Sequence, residues 1–410
     1  MTHPAVSVVV VSRDRPTALR RCLAGLFQVQ YAPFEIVVVA DPKGAAEIAD
    51  TPMGDAIKLV PFDRPNISEA RNLGISHAAG DIVAFIDDDA VPEPSWLTQL
   101  VAPASRPYVA AMGGFVRGRN GITYQWKARS VDHFGDTEPM EMNPKRATVL
   151  KPRGTRATKT EGTNMAVRRD VLIELDGFDP GFAFYLDETD LNLRLARAGH
   201  ATAIVPMAQV HHGFAASARR RPDRVPRDLF DIGASWAVFQ RKYLAEYLRR
   251  DHWRKIRMSE RTRVLDHMVG GRLLPRDVTR LLSRLDQGYS QGLMRKRGGA
   301  QLASSPISPF KPMAQPPRRS VLLAGRIWSA RRLRAEARRR VKNGEIVTLL
   351  LMSHTALYHH VRFHQDGYWE QTGGIYGRSD RDDPVFRPYG FAERVEREAT
   401  RMGAERLLGQ

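Results

Sequence analysis

Cysteine is nearly absent: Cys22 is the one thiol in 410 residues. No intramolecular disulfide can form, and this usage suits a reducing compartment. Long apolar runs are missing too. None approaches the ~20 residues that cross a bilayer. The expectation is a cytoplasmic protein, soluble or peripheral on the inner face of a membrane. A strand-like run begins almost at once, so no leader peptide is expected ahead of it. Acidic charge also falls short. Asp and Glu number 45 against 63 Lys and Arg, a formal net charge of +18. Of the basic side chains 52 are Arg. Such a field favours anionic partners: nucleotides, diphosphates or an anionic membrane surface. Nucleic acid is not expected, because aromatic and basic residues are not interleaved as in a binding module.

What the chain does contain centres on Ile82-Val83-Ala84-Phe85-Ile86-Asp87-Asp88-Asp89. Five apolar residues without alternation read as a strand buried on both faces of a parallel sheet. Three adjacent carboxylates at its end repel one another unless solvent or a cation intervenes. In open α/β sheets ligands sit beyond the carboxyl ends of strands. A metal and a phosphorylated ligand are therefore expected there.

The flanking pattern is strand, helix, strand. Val6–Val11 and Phe34–Ala40 are continuous β-branched or apolar runs, and residues 57–61 offer a third, shorter strand. Helices are expected after Pro16, over Asn66–Ala79 and over residues 92–104, and a further strand over Val109–Val116. Residues 117–160 lack periodicity and read as a long loop bordering a substrate cleft. Gly162–Val167 reads as a strand, Asp187–Ala198 as a helix, and His200–Val205 as a strand. Gln209–Phe214 then carries His211 and His212. The fold class is α/β, a doubly wound, mostly parallel sheet.

The organisation expected is a catalytic domain over residues 1–215 and a helical extension over 216–297. A Gly-, Ser- and Pro-rich linker follows over 298–318. A small β-α-β region over 319–410 closes the chain, with oligomer formation as one use for it. Within the extension, helices are expected over 259–269 and 276–296, after an amphipathic stripe from Leu229 to Tyr243. His354, His359, His360 and His364 lack metal-ligand spacing and read as surface or core residues.

These motifs, in this order, resemble the family 2 glycosyltransferases of the GT-A fold. The resemblance covers roughly residues 5–215. It implies an inverting, metal-dependent transfer of a sugar from a nucleotide-diphosphate donor to a hydroxyl of a glycan or lipid-linked acceptor in polysaccharide biosynthesis. Asp87-Asp88-Asp89 matches the family's DxD motif. It implies Asp89 as ligand to Mg or Mn, Asp87 on the metal or the donor ribose, and Asp88 as a nucleotide contact. One of His211 and His212 completes the metal shell. Strand alternation allows only one to reach it. Asp41 remains from a pair of aspartates that touch the base, the first being replaced by Ala40. Arg71, in Ser68-Glu69-Ala70-Arg71-Asn72, falls near the nucleotide, as do Ser12 and Arg13. Gly162-Thr163-Asn164 resembles a segment lining the acceptor side, with Asn164 toward the nucleotide sugar. Asp187-Glu188-Thr189-Asp190-Leu191 resembles the family's ED-x-DL stretch with its two acids reversed. Glu188 stands at the base position, with Asp187 as rival, and Asp190 has a structural, capping role. A nucleotidyltransferase and a basic nucleic-acid-binding protein are the alternatives. Against the first, Ser12-Arg13-Asp14-Arg15-Pro16 has no glycine to cradle a phosphate.

Overall fold

The computed structural model describes residues 3–314 and 316–409. Its central sheet runs in the order Thr148–Leu150, Ala201–His212, Val109–Arg117, Asn164–Arg168, Ile82–Asp87, Val6–Ser12, Phe34–Ala40, Lys58–Pro61. The last four strands are mutually parallel. Asn164–Arg168 runs antiparallel to both its neighbours. The sheet is therefore mixed, with a parallel half that places the ends of Val6–Ser12 and Ile82–Asp87 side by side. Val11 lies opposite Asp87.

Local chemistry explains the connections. Pro16 opens the helix Pro16–Leu26 with its ring at the first turn. Asn66 caps Ile67–His77 by accepting from Glu69 N at 3.1 Å. Leu19, Cys22, Leu23 and Leu26 pack one helix on the sheet, and Ala70 and Ile75 pack another on the opposite face. Both faces of the parallel strands are thus dry, which their unalternating sequence anticipates.

Several segments differ from expectation. Residues 117–160 are not one structureless loop. They hold the short strands Tyr124–Trp126, Arg129–Val131, Thr137–Pro139, Thr148–Leu150 and Ala157–Lys159. Three of these form a separate antiparallel sheet. Residues 92–104 hold only the short helix Trp96–Val101 and a 3-10 turn, because Ala90–Pro92 is drawn into pairing with Val210–His212. The expected helix over 259–269 begins much earlier, as Glu246–Val269. It packs beside Pro275–Gly292, with Trp253 stacked on Tyr289 at 3.8 Å between ring centres.

The described residues of 298–318 are irregular, yet they do not hang free. Ile307 N donates to Ser76 O and Met313 N to Phe34 O, each at 2.8 Å. The segment is strapped along the amino ends of the parallel strands, with Met313 in the core. Beyond it a four-stranded sheet forms in the order Ser320–Arg326, Ile346–Ser353, Trp369–Gly374, His360–Phe363. Val361, Phe363 and Trp369 pack against Val91 and Ile122, beside the central sheet. The closing helix Phe391–Arg406 ends with Arg406 on Glu93 at 3.0 Å.

Candidate active site

Asp87, at the last position of its strand, and Asp89, two residues on, face a cleft beyond the sheet. His212, the end of its own strand, reaches them from the other side. Their ligand atoms all lie within 4.8 Å of one another. His212 Nε2 is 3.1 Å from Asp89 Oδ1 and 3.9 Å from Asp87 Oδ2. The imidazole is oriented by Gln125, whose Oε1 is 2.8 Å from Nδ1. Thr163 Oγ1 donates to Asp87 at 2.6 Å, and Ala215 N donates to Asp89 at 2.6 Å. Arg15 and Arg220 flank Asp89 at 3.6 and 3.7 Å. Burial alone would raise the Asp89 carboxyl. His212, Arg15 and the Ala215 N–H outweigh burial and hold it well below the usual carboxylate range. Asp89 is thus held as an anion at the edge of the cleft.

Ser12, Arg13, Asp87, Asp89 and His212 line one cleft of about 220 Å³, walled by Phe62, Arg64 and Phe184. A second cleft of about 900 Å³ adjoins it, sharing Phe184, Arg219 and Arg220. Its wall comes from residues 118–126, so this part of the 117–160 segment does border a cleft.

Seven expected site residues do not line the first cleft: His211, Asp88, Asp41 and Asn164, and behind Asp87 also Arg71, Asp187 and Glu188. His211 points away from the acids, its Nε2 2.7 Å from Glu93 Oε1. Alternation along the strand separates it from His212. Asp88 is fully buried, accepting from Ser12 Oγ at 2.7 Å and paired with Arg15 at 2.7 Å. Burial drives its carboxyl up to about 7 against the pull of Arg15. Asp41 accepts from Asp14 N and Gly44 N, so it fixes the turn after the first strand and caps a helix. Asn164 departs most from expectation. Its Nδ2 donates to Phe115 O and Ala208 O, and its Oδ1 accepts from Trp96 Nε1. Every polar atom is spent holding strands together. Gly114 makes room, since a Cβ there would meet Asn164 Nδ2 at 2.4 Å.

Behind Asp87 lies a buried charge relay. Arg71 reaches Asp87 at 3.5 Å and pairs closely with Asp187. Gly162 permits this, because a Cβ would stand 2.3 Å from the guanidinium. Burial raises the Asp187 carboxyl to about 7 despite Arg71. Glu188 goes the other way. Burial would raise it, but Lys159, whose Nζ is 3.0 Å from Oε1, and the bond with Asp187 draw it down to about 2. The helix Asp187–Arg197 that presents both acids is entered through Tyr185 and Leu186 at φ of 72° and 65°. Two bulky residues in the left-handed region cost about 1–3 kcal/mol each, a strain that clusters at functional sites. Asp190 makes no capping bond. It is held by Arg194, Lys242 and the Tyr243 hydroxyl.

A family model described as glycosyltransferase-like family 2 matches residues 3–228. The chain belongs to that family. The O-antigen biosynthesis protein RfbC of Myxococcus xanthus is 29% identical over 259 residues, 58% of this chain and 19% of RfbC. The glucosyl-dolichyl phosphate glucuronosyltransferase of Haloferax volcanii is 30% identical over 196 residues, 42% of this chain and 56% of that one. The chain therefore spans less than two thirds of the length of either relative. A crystal structure of GalNAc-T7 with UDP, GalNAc and Mn2+ aligns with a TM-score of 0.42 at 20% identity, covering 57% of this chain and 48% of that one.

In this glycosyltransferase the sequence does not pick out several of the side chains that hold the acids and His212. Arg15, Gln125, Thr163 and Lys159 each hold one of the acids or His212. Thr163 sits inside a motif that was singled out, and Arg15 two residues after Arg13. Gln125 and Lys159 come from the aperiodic segment, where nothing marks one polar residue above another.

Proposed function

We propose that this glycosyltransferase is an inverting, metal-dependent enzyme moving a hexose or deoxyhexose from a nucleotide-diphosphate donor to a hydroxyl of a glycan or lipid-linked acceptor. The observation that carries the reading is the Asp87–Asp89–His212 cluster at the carboxyl end of the parallel strands. Two carboxylates and an imidazole are a hard donor set that fits Mg2+ or Mn2+. Gln125 Oε1, 2.8 Å from Nδ1, holds the His212 ring with Nε2 turned toward Asp89 and Asp87. When bound, such an ion offsets the negative charge that the leaving diphosphate gains.

The chain's own residues do the rest. Ser12 and Arg13 border the donor cleft on the nucleotide side. Arg71 clamps Asp87 against Asp187 and so fixes the acid nearest the donor. Glu188, ionised throughout the neutral range, takes the proton from the attacking acceptor hydroxyl. A single displacement inverts the anomeric centre, and no second carboxylate is needed as a nucleophile. The larger adjoining cleft receives the acceptor. The names of the two relatives, one in O-antigen biosynthesis and one acting at a dolichyl phosphate, support a glycan or lipid-linked acceptor. In this reading the enzyme works at the cytoplasmic face of the membrane that carries it.

A thermal-shift series with nucleoside diphosphates, with and without Mn2+, tests the reading. We expect one nucleotide to stabilise the protein only when Mn2+ is present, and Asp89→Ala and His212→Ala to abolish that shift. Stabilisation of the same size without metal, or unchanged in both variants, contradicts it.

A further inference from the structure

Net charge by itself says nothing about where an anionic partner would sit. The C-terminal sheet offers a place. Ser320–Arg326, Ile346–Ser353 and Trp369–Gly374 are parallel. Their amino ends lie against the catalytic part: Arg318 N donates to Gln30 Oε1, and Gln28 Nε2 donates to Gly367 O. Their carboxyl ends open on the opposite side.

Each of these three strands is followed by a segment that exposes apolar bulk. Ile327 and Trp328 follow the first, Leu357 and Tyr358 the second, Val385 and Phe386 the third. Trp328 is 75% exposed, Leu357 64% and Phe386 59%. The segments form one edge. Tyr376 N donates to Thr355 O, and Arg387 N donates to Tyr376 O. The Tyr376 ring lies 5.4 Å from that of Phe386. Arg326 stacks over Phe391, which shares an apolar cluster with Tyr376. Isolated exposed apolar residues are ordinary, but six gathered on one edge mark an interaction surface.

At the Trp328 end of this edge the charge is basic. Arg331 and Arg332 follow Trp328 by one turn, are exposed, and pair with no acid among the described residues. Arg381 and Arg387 are exposed beside Phe386, against Asp380 and Asp382. Further along the same helix the arginines are matched: Arg334 with Glu370, Arg338 with Asp366 and Arg339 with Glu336. The unmatched ones are those next to the exposed tryptophan.

We propose that this edge docks the protein on an anionic phospholipid surface. Tryptophan, phenylalanine and leucine enter the headgroup boundary, and the arginines meet lipid phosphates. The surface stands on its own residues. It rests on the function proposed above only for its purpose, which is to hold the clefts beside a membrane-borne acceptor.

Flotation of the full chain with vesicles tests this. One vesicle set is phosphatidylcholine alone, and the other contains phosphatidylglycerol. We expect binding to the second set at low salt, weakened at high salt, and none to the first. The pairs Trp328→Ser with Phe386→Ser, and Arg331→Glu with Arg332→Glu, each weaken binding by about tenfold or more. All these positions are exposed, so melting temperature and Mn2+-dependent nucleotide binding stay unchanged. That second readout separates a failure here from a failure of the sugar-transfer reading. No binding by the parent protein to phosphatidylglycerol vesicles, or parent-like binding by both variants, overturns the proposal. A dimer in light scattering that the same substitutions dissociate assigns the edge to a second copy, and overturns it equally.

Discussion

In the proposed mechanism Lys159 sets what Glu188 can do as the base. Its ammonium, 3.0 Å away, is the largest of the influences that draw the carboxyl down to about 2 against burial. A base must be ionised, so activity is lost as pH falls through its pKa. Lys159→Met removes the lowering influence and leaves burial to act. We expect the acidic limb of the pH–rate profile to move upward by about one unit or more, while donor binding is kept. Glu188→Gln should also keep donor binding and lose about 100-fold or more of transfer. An unmoved limb, or transfer that survives Glu188→Gln, assigns the base elsewhere. At this scale the sequence was readable where chemistry is crowded. Asp87 and Asp89 stand out as carboxylates crowded at the end of a buried strand, and the structure brings them together with His212. The choice between His211 and His212 was not readable. It depends on the register of their strand against Ala90–Pro92, a long-range pairing. Asn164 misled for a similar reason. Its motif marks a place near the cleft, but its side chain points into the gap over Gly114, and only the assembled sheet shows that.

Among the elements, the closing helix Phe391–Arg406 is fastened by a buried pair. Arg406 meets both oxygens of Glu93, which also receives His211. Burial alone would raise Glu93, and Arg406 and His211 instead hold its carboxyl well below the usual range. A depressed carboxylate contributes stability above its unfolded pKa, about 4.3, and loses it as pH falls toward the folded value. Arg406→Met leaves that charge buried without its partner. We expect a loss of about 3–5 kcal/mol in denaturant unfolding at pH 7, shrinking as the pH drops below ~4. A change within ~0.5 kcal/mol would show that the helix is held by apolar packing alone. The long apolar strands were legible because burial on both faces leaves an unbroken hydrophobic run. The short strands within residues 117–160, and His360–Phe363, were not. Three or four residues are too few to show a period, and partners far along the chain select them. The helix Glu246–Val269 was recognised only in part, because charged residues dominate its first turns and blur the apolar stripe.

At the scale of the molecule, composition marked residues 298–318 as a linker, and the backbone there is irregular. What composition cannot show is that Ile307, Lys311 and Met313 bond to the catalytic part through main-chain groups that every residue possesses. The strap brings the C-terminal sheet back beside Val91 and Glu93, one short strand away from His212. The ends of the parallel strands, residues 118–126 and residues 214–232 wall a pair of adjoining clefts, and the smaller one holds the anionic cluster. The account depends on that cluster gripping a donor diphosphate through a divalent cation. Anomalous diffraction at the manganese edge, from crystals soaked with Mn2+ and a nucleoside diphosphate, tests it most directly. The account predicts one strong peak at about 2.0–2.3 Å from oxygen atoms of Asp87 or Asp89 and from Nε2 of His212, with the diphosphate on its far side. A diphosphate bound away from these three residues, or a manganese peak elsewhere with the cluster empty, would contradict it.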